Sequence, residues 1–393
     1  MNHTSTHPLR GLLIAQFCGA FNDNAWKLLV ALLGIKSLAG AVGPDSGLEA
    51  ASQAETAKAF IVFTLPLMLV SLIAGVIADR VSKRTILVTM KAVEVGLMAA
   101  GTLALMVDPS GGRLPLIVLG CMGAHSALFS PAKYGILPEL VPHEKLSTAN
   151  GWLEMCTFLA ILLGTASGGI LLDHATPTTW LAGAALTVTA TVGFIASRTI
   201  PPVPPARSTG GIVWTLASAW TAVTSDRVLR LAVIGTIFFW TIASLFGQDM
   251  LVYAKAVLGL SDSLSGLPLA TLAVGIGAGA MLAGRLSGAR VEYGLIPLGA
   301  LGVAVVLLLM GALAPALPGT LILMALLGLA GGLLLVPLDA VIQWRAPHDR
   351  RGAILALWNT GVFGGMLLGH LGDRLGRKPV LVITLLLVGV GTF

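Results

Sequence analysis

Apolar runs long enough to cross a bilayer, separated by short polar breaks, fill the chain from residue 11 to its end. They predict helical spans at 11–36, 58–78, 85–107, 114–137, 148–172, 177–197, 229–253, 264–286, 293–314, 319–343, 352–371 and 379–393. A hydrocarbon core of about 30 Å takes roughly 20 helical residues, so the first eleven suffice and the last is short or truncated. Composition agrees: 56% of residues are hydrophobic, 11% are charged, and mean hydropathy is +0.90. No water-soluble fold buries that much apolar surface. The expected class is an all-α membrane protein with 12 transmembrane helices. Met1 to Arg10 is polar and the first run outlasts the apolar core of a signal peptide, so that run is read as the first span. Cys18, Cys121 and Cys156 lie in apolar runs without C-x-x-C spacing, which predicts packing residues and neither a disulfide framework nor a metal site.

Lys and Arg orient the spans. With a cytoplasmic N-terminus, fifteen of the 24 fall on the inner side and six on the outer, which is the expected bias. The cluster Arg374, Arg377 and Lys378 opposes this assignment. The net charge of +6 follows from the inner bias and gives no reason to invoke nucleic acid.

An internal repeat divides the chain. Gly75 to Arg84 (GVIADRVSKR) aligns with Ala280 to Ala289 (AMLAGRLSGA) at an offset of 205 residues, and the same offset relates Pro142-His143 to Pro347-His348. Two six-span halves are implied, 1–198 and 229–393, joined by a cytoplasmic connector at 199–228 that reads as polar and extended around Pro201-Pro202-Val203-Pro204-Pro205. Parallel halves around a midplane site are an alternating-access architecture.

Polar residues inside the spans mark the candidate site, because a charge at bilayer depth costs about 2.5–3.5 kcal/mol even on insertion scales. Lys133, in Ser130-Pro131-Ala132-Lys133-Tyr134-Gly135-Ile136-Leu137, is foremost, ahead of the alternative that it snorkels to headgroups from the cytoplasmic end of its span. Asp23 and Lys27 share a face of span one, flanked by Asn22 and Asn24, and read as cargo groups ahead of an ion pair that neutralises itself. Asn150 and Glu154 in span five, Gln248 and Asp249 in span seven, and Asp339 and Gln343 in span ten complete the set. Lys91 and Glu94 in span three read equally as cargo groups or as an ion pair that neutralises itself. His125 reads as a packing histidine. Gly75, Asp79, Arg80, Lys83 and Arg84, with Arg285 opposite in the repeat, read as a gate at a membrane face. Gly164-x-x-x-Gly168, Gly275-x-x-x-Gly279 and Gly365-x-x-x-Gly369 allow close helix approach and suit surfaces sliding between the halves.

Gly75-x-x-x-Asp79-Arg80-x-x-Lys83-Arg84 between spans two and three resembles the loop signature of the major facilitator superfamily. The block Ser130–Leu137, continued by Lys145-Leu146, Ala149-Asn150-Gly151, Glu154 and Ala160–Gly164, resembles the bacterial lysophospholipid transporters. Phe21-Asn22-Asp23-Asn24-Ala25, Val336-Pro337-Leu338-Asp339-Ala340 and Gln343 add to the likeness. Gly284 and Gly288 depart from it, standing where Asp79 and Lys83 stand in the first half.

The resemblance implies the major facilitator fold and inward movement of lysophospholipids, chiefly lysophosphatidylethanolamine, across a bacterial inner membrane for reacylation. It also implies a multi-pass monomer among membrane lipids, without a cofactor, partnered by an acyltransferase or acyl-activating enzyme, fused or separate. No histidine stands in the H-x-x-x-x-D pattern of such an acyltransferase, so a transporter and not an enzyme is expected. Two other readings compete: a drug or metabolite transporter for a soluble amphiphile, and a silent anchor for a C-terminal enzyme. The polar groups in both halves weigh against the anchor.

Overall fold

A computed structural model describes residues 8–41, 48–175, 178–206, 210–261, 264–288 and 291–375. Among them are twelve α-helices and no strand: α1 (Arg10–Ala41), α2 (Leu48–Ala78), α3 (Lys83–Val107), α4 (Arg113–Leu140), α5 (Leu146–Ala175), α6 (Trp180–Ser197), α7 (Ile212–Ser225), α8 (Arg227–Ala256), α9 (Leu267–Leu286), α10 (Leu295–Leu313), α11 (Leu317–Arg345) and α12 (Arg351–Leu375). Among the described residues nine helices are long and apolar enough to cross a membrane. The 32-residue α1 and 25-residue α12 also have the length. Eleven of the helices coincide with the first eleven expected spans. The twelfth, 379–393, lies outside the described residues.

The remaining helix corrects the sequence reading. The connector was expected to be extended, and residues 201–206 are without regular structure, but 212–225 forms α7. Its buried residues Thr215, Ala219 and Val223 recur every four positions, which is one helical face. The prolines end at Pro205, so none falls within the helix that begins at Ile212.

The helices form two compact units. The first holds residues up to Lys133 and 160–206. In it, α6 packs against both α3 and α1, and α1 also meets α2. A Cβ on Gly164 or Gly168 would strike the backbone of Phe21 or Ala25, so α5 lies against α1 with no side chain between them.

The second unit holds residues 134–159 and the described residues from 210 to 375. Its most extensive contact is between α9 and α11. Gly275 and Gly279 of α9 face the backbones of Ala325 and Leu329, while Gly328 and Gly332 of α11 face Leu272 and Ile276. Four glycines thus bring two helix backbones together. Gly365 likewise seats α12 on Thr241 of α8. These glycine spacings were expected to serve surfaces sliding between the halves. Instead Gly164, Gly168, Gly275, Gly279 and Gly365 all meet partners in their own unit, so these contacts join helices within a unit. A groove of about 630 Å3, lined by apolar side chains such as Leu231, Phe238, Phe239, Ile296, Val303 and Leu338, runs between α8 and α10.

Candidate functional site

In the first unit the polar residues of α1, α3 and α4 separate into two groups. The deeper one is locked. Lys91 Nζ sits 2.6 Å from Glu94 Oε2, with both side chains 1% exposed. Asn22 Nδ2 donates to Glu94 Oε1 (3.1 Å) and to the Leu186 carbonyl (3.1 Å). The Lys91 ammonium also lies 4.9 Å from the centre of the Phe129 ring. An ion pair out of water needs such further donors to offset its desolvation. Asn22, expected among the cargo groups, commits its amide N–H groups to this network, while its Oδ1 is buried without a hydrogen bond.

The second group is only half-buried. Asp23 and Lys27 do not pair with each other. Ser126 Oγ donates to Asp23 Oδ2 at 2.7 Å, and Lys27 Nζ donates to Asn24 Oδ1 at 3.2 Å, lying 5.0 Å from the Phe63 ring centre. The Asn24 amide is held by the Ala20 carbonyl (2.7 Å). The carboxylate and the ammonium are therefore each oriented by a neutral neighbour. Ser126 was not anticipated, although it lies seven residues before Lys133 and so on the same face of α4. Lys133 is itself buried, 7% exposed. His125 bonds the Met90 carbonyl through Nε2 at 2.8 Å, which suits a packing histidine.

In the second unit, Asn150 of α5 and Gln343 of α11 form a reciprocal amide pair. Asn150 Nδ2 donates to Gln343 Oε1 (3.0 Å) and Gln343 Nε2 to Asn150 Oδ1 (2.7 Å). Both are fully buried. Nearby, Thr148 Oγ1 donates to the Gly284 carbonyl (2.8 Å), Tyr134 Oη donates to Glu154 Oε1 (3.0 Å), and the Tyr134 ring meets Trp358 edge-on with centroids 5.0 Å apart. His143 stacks on Trp344 at 4.5 Å. The end of α4 and the start of α5 are thus clasped to α9, α11 and α12. Asp339 is buried one turn before Gln343. Asp249 is half-buried in α8, and the side chain of Gln248 lies outside the described residues.

The expected gate residues are divided by burial. Gly75, Asp79 and Lys83 are buried, whereas Arg80 is exposed. Ser82 Oγ donates to the Val203 carbonyl (2.7 Å), and Arg84 donates to the carbonyls of Ile200 (2.7 Å) and Arg198 (3.2 Å). The loop is therefore tied to the stretch just after α6. Arg285 is exposed. The two glycines that break the repeat have separate physical reasons. A Cβ on Gly284 would lie 3.0 Å from the Thr148 Cα, and Gly288 has φ +56°. The first makes room for α5; the second takes a backbone conformation that a lysine rarely adopts.

The Major Facilitator Superfamily model matches residues 12–369. The chain belongs to this superfamily. It is 32% identical over 370 residues to the lysophospholipid transporter LplT of Yersinia enterocolitica, covering 91% of this chain and 84% of that one. The LplT of Yersinia pestis is also 32% identical, over 369 residues, covering 91% and 83%. These relatives place it in the family of lysophospholipid transporters, whose members are multi-pass transporters and not enzymes. The fold is shared with a bacterial homologue of the iron transporter ferroportin in an outward-facing state (TM-score 0.68, 18% identity, 98% of each chain). It is shared also with the human organic anion transporter MFSD10 (0.73, 14%, 99% of each chain).

Proposed function

We propose that this transporter carries lysophospholipids, chiefly lysophosphatidylethanolamine, inward across a bacterial inner membrane, where an acyltransferase, fused or separate, restores the second chain. The N-terminus is cytoplasmic, the working unit is a monomer, and the halves are 1–198 and 229–393. The relatives' substrate class supports the reading.

The observation that carries it is the separate presentation of Asp23 and Lys27. A zwitterionic headgroup needs a cation or several donors for its phosphate and a carboxylate for its ammonium. An Asp–Lys pair closed on itself would offer neither. Asp23 instead leans on Ser126 and Lys27 on Asn24, so both charges stay available to a ligand. Lys133, on the same face of α4 as Ser126, adds a second cation.

Uptake of labelled lysolipids into proteoliposomes tests this. Asp23→Asn should depress transport of lysophosphatidylethanolamine more than of lysophosphatidylglycerol, which has no amine. Lys133→Ala should depress both. Wild-type rates for both lipids in both variants would overturn the headgroup assignment. Transport of a soluble amphiphile with no lysolipid uptake by the wild type would overturn the substrate class.

A further inference from the structure

The short helix α7 has the chemistry of a membrane surface and not of an aqueous connector. None of its fourteen residues, IVWTLASAWTAVTS, is charged. Thr215, Ala219 and Val223 are buried, while Ile212, Val213, Trp214 and Trp220 are 46%, 81%, 54% and 62% exposed. Exposed apolar side chains are ordinary on helices that span a bilayer. This helix is about 21 Å long at 1.5 Å per residue, short of the roughly 30 Å hydrocarbon core.

Its hydroxyls are satisfied internally. Thr215, Ser218, Thr221, Thr224 and Ser225 each donate to a carbonyl three or four residues back. That is how polar side chains are accommodated where water is scarce. A single residue, Asp226, separates α7 from α8, a candidate span beginning at Arg227. The end of α7 is therefore held at the level where a span leaves the bilayer. The charge that interfacial helices often carry on a polar face is supplied here by neighbours. Arg227 is exposed at the corner, and the Arg350 guanidinium lies 5.9 Å from the Trp214 ring centre while its Nε donates to the exposed Asp349 at 3.2 Å.

We propose that α7 lies in the interface of the bilayer. Val213, Trp214 and Trp220 sit at the boundary between headgroups and acyl chains, and Arg227 and Arg350 face the phosphates of anionic lipids. Tryptophan favours this depth because its ring is apolar and its N–H polar, and anionic lipids attract basic side chains near the surface. The inference concerns anchoring and is independent of the cargo.

Quenching of tryptophan emission in proteoliposomes tests it. The chain holds 8 tryptophans, so the signal of α7 is the difference between wild type and the Trp214→Phe/Trp220→Phe variant, which keeps the helix apolar. Lipids brominated just below the headgroup should quench this difference emission at least about twofold more than aqueous iodide does. Strong quenching by iodide alone, or by neither, would overturn the interfacial placement. Brominated phosphatidylglycerol should quench more than brominated phosphatidylcholine at the same fraction, and Arg227→Gln/Arg350→Gln should abolish the difference. Equal quenching by the two lipids in the wild type would overturn the anionic contact.

Discussion

At the scale of single residues, the structure separates a buried charge pair bonded to itself from two charges held by neutral neighbours. Lys91 and Glu94 are both 1% exposed and bonded to each other, and removing one member of such a pair strands the other. The usual cost is about 3–5 kcal/mol. Glu94→Gln and Lys91→Met should therefore each lower the melting temperature in detergent, whereas Lys91→Met/Glu94→Leu should recover much of the loss. A single variant as stable as the wild type would show that the pair contributes nothing. Ser126→Ala makes the contrasting case. It removes the hydrogen bond that orients Asp23 without burying an unpaired charge, so it should slow lysolipid transport while leaving the melting temperature nearly unchanged. Asp23 and Lys27 were legible in the sequence because an acid and a base four apart must share a helix face. That each would choose a different partner was not, since Ser126 is 103 residues from Asp23 along the chain.

Between elements, close backbone contact and a capped corner do most to fix the geometry. Gly279 faces the Leu329 backbone and Gly311 has nothing within 4 Å of where a Cβ would stand. Gly279→Leu should prevent α9 and α11 from closing and abolish monodisperse protein on size exclusion. Gly311→Ala should be tolerated or stabilising, by roughly 0.5–1 kcal/mol from helix propensity. At the corner between α7 and α8, Asp226 accepts from the N–H groups of Val228 and Leu229 and from Arg345 Nε at 2.7 Å. Burial alone would raise its pKa. The Arg345 hydrogen bond, the two N–H groups and the Arg345 charge outweigh it and hold the carboxyl below its ordinary value of 3.8. A depressed folded-state pKa contributes stability that is present above the unfolded value and lost as pH falls through the folded one. Melting temperature should therefore fall with acid below about pH 4. Asp226→Asn should lower it at neutral pH and flatten that acid limb; an unchanged acid limb would remove Asp226 from the account.

For the whole molecule, transport by alternating access requires a contact that exists in one state and not in another, and a change that favours one state shifts their populations. Whether the Asn150–Gln343 pair, buried within the second unit, is such a contact is open to a direct test. It joins helices from the two sequence repeats and satisfies both amides while buried, so parting it must expose both to water or ligand. Asn150→Cys/Gln343→Cys, oxidised to a disulfide, should stop lysolipid transport, and reduction should restore it. Undiminished transport in the oxidised protein would show that these helices need not separate. Gln343→Ala should instead loosen the clasp and raise labelling of a cysteine placed behind it.

The amino-acid sequence by itself determined the membrane class, eleven of the helices, with only the start of α2 displaced by ten residues, and the repeat offset of 205. Within a bilayer every backbone N–H and C=O must be satisfied inside its own helix, so a span is a local property of about twenty apolar residues. The same local logic exposed Lys133, Asp23 and Asn150 as costly exceptions. Only the tertiary structure decided what those exceptions do. Asn150 meets Gln343 across 193 residues, Asn22 is drawn into the Lys91–Glu94 network, and the Gly275 and Gly328 neighbourhoods interlock inside one unit. It also decided that the connector holds a helix, whose face is defined by what α8 and α12 bury and by what they leave exposed. Pairings between helices obey packing and not periodicity, and no spacing along the chain encodes which face meets which.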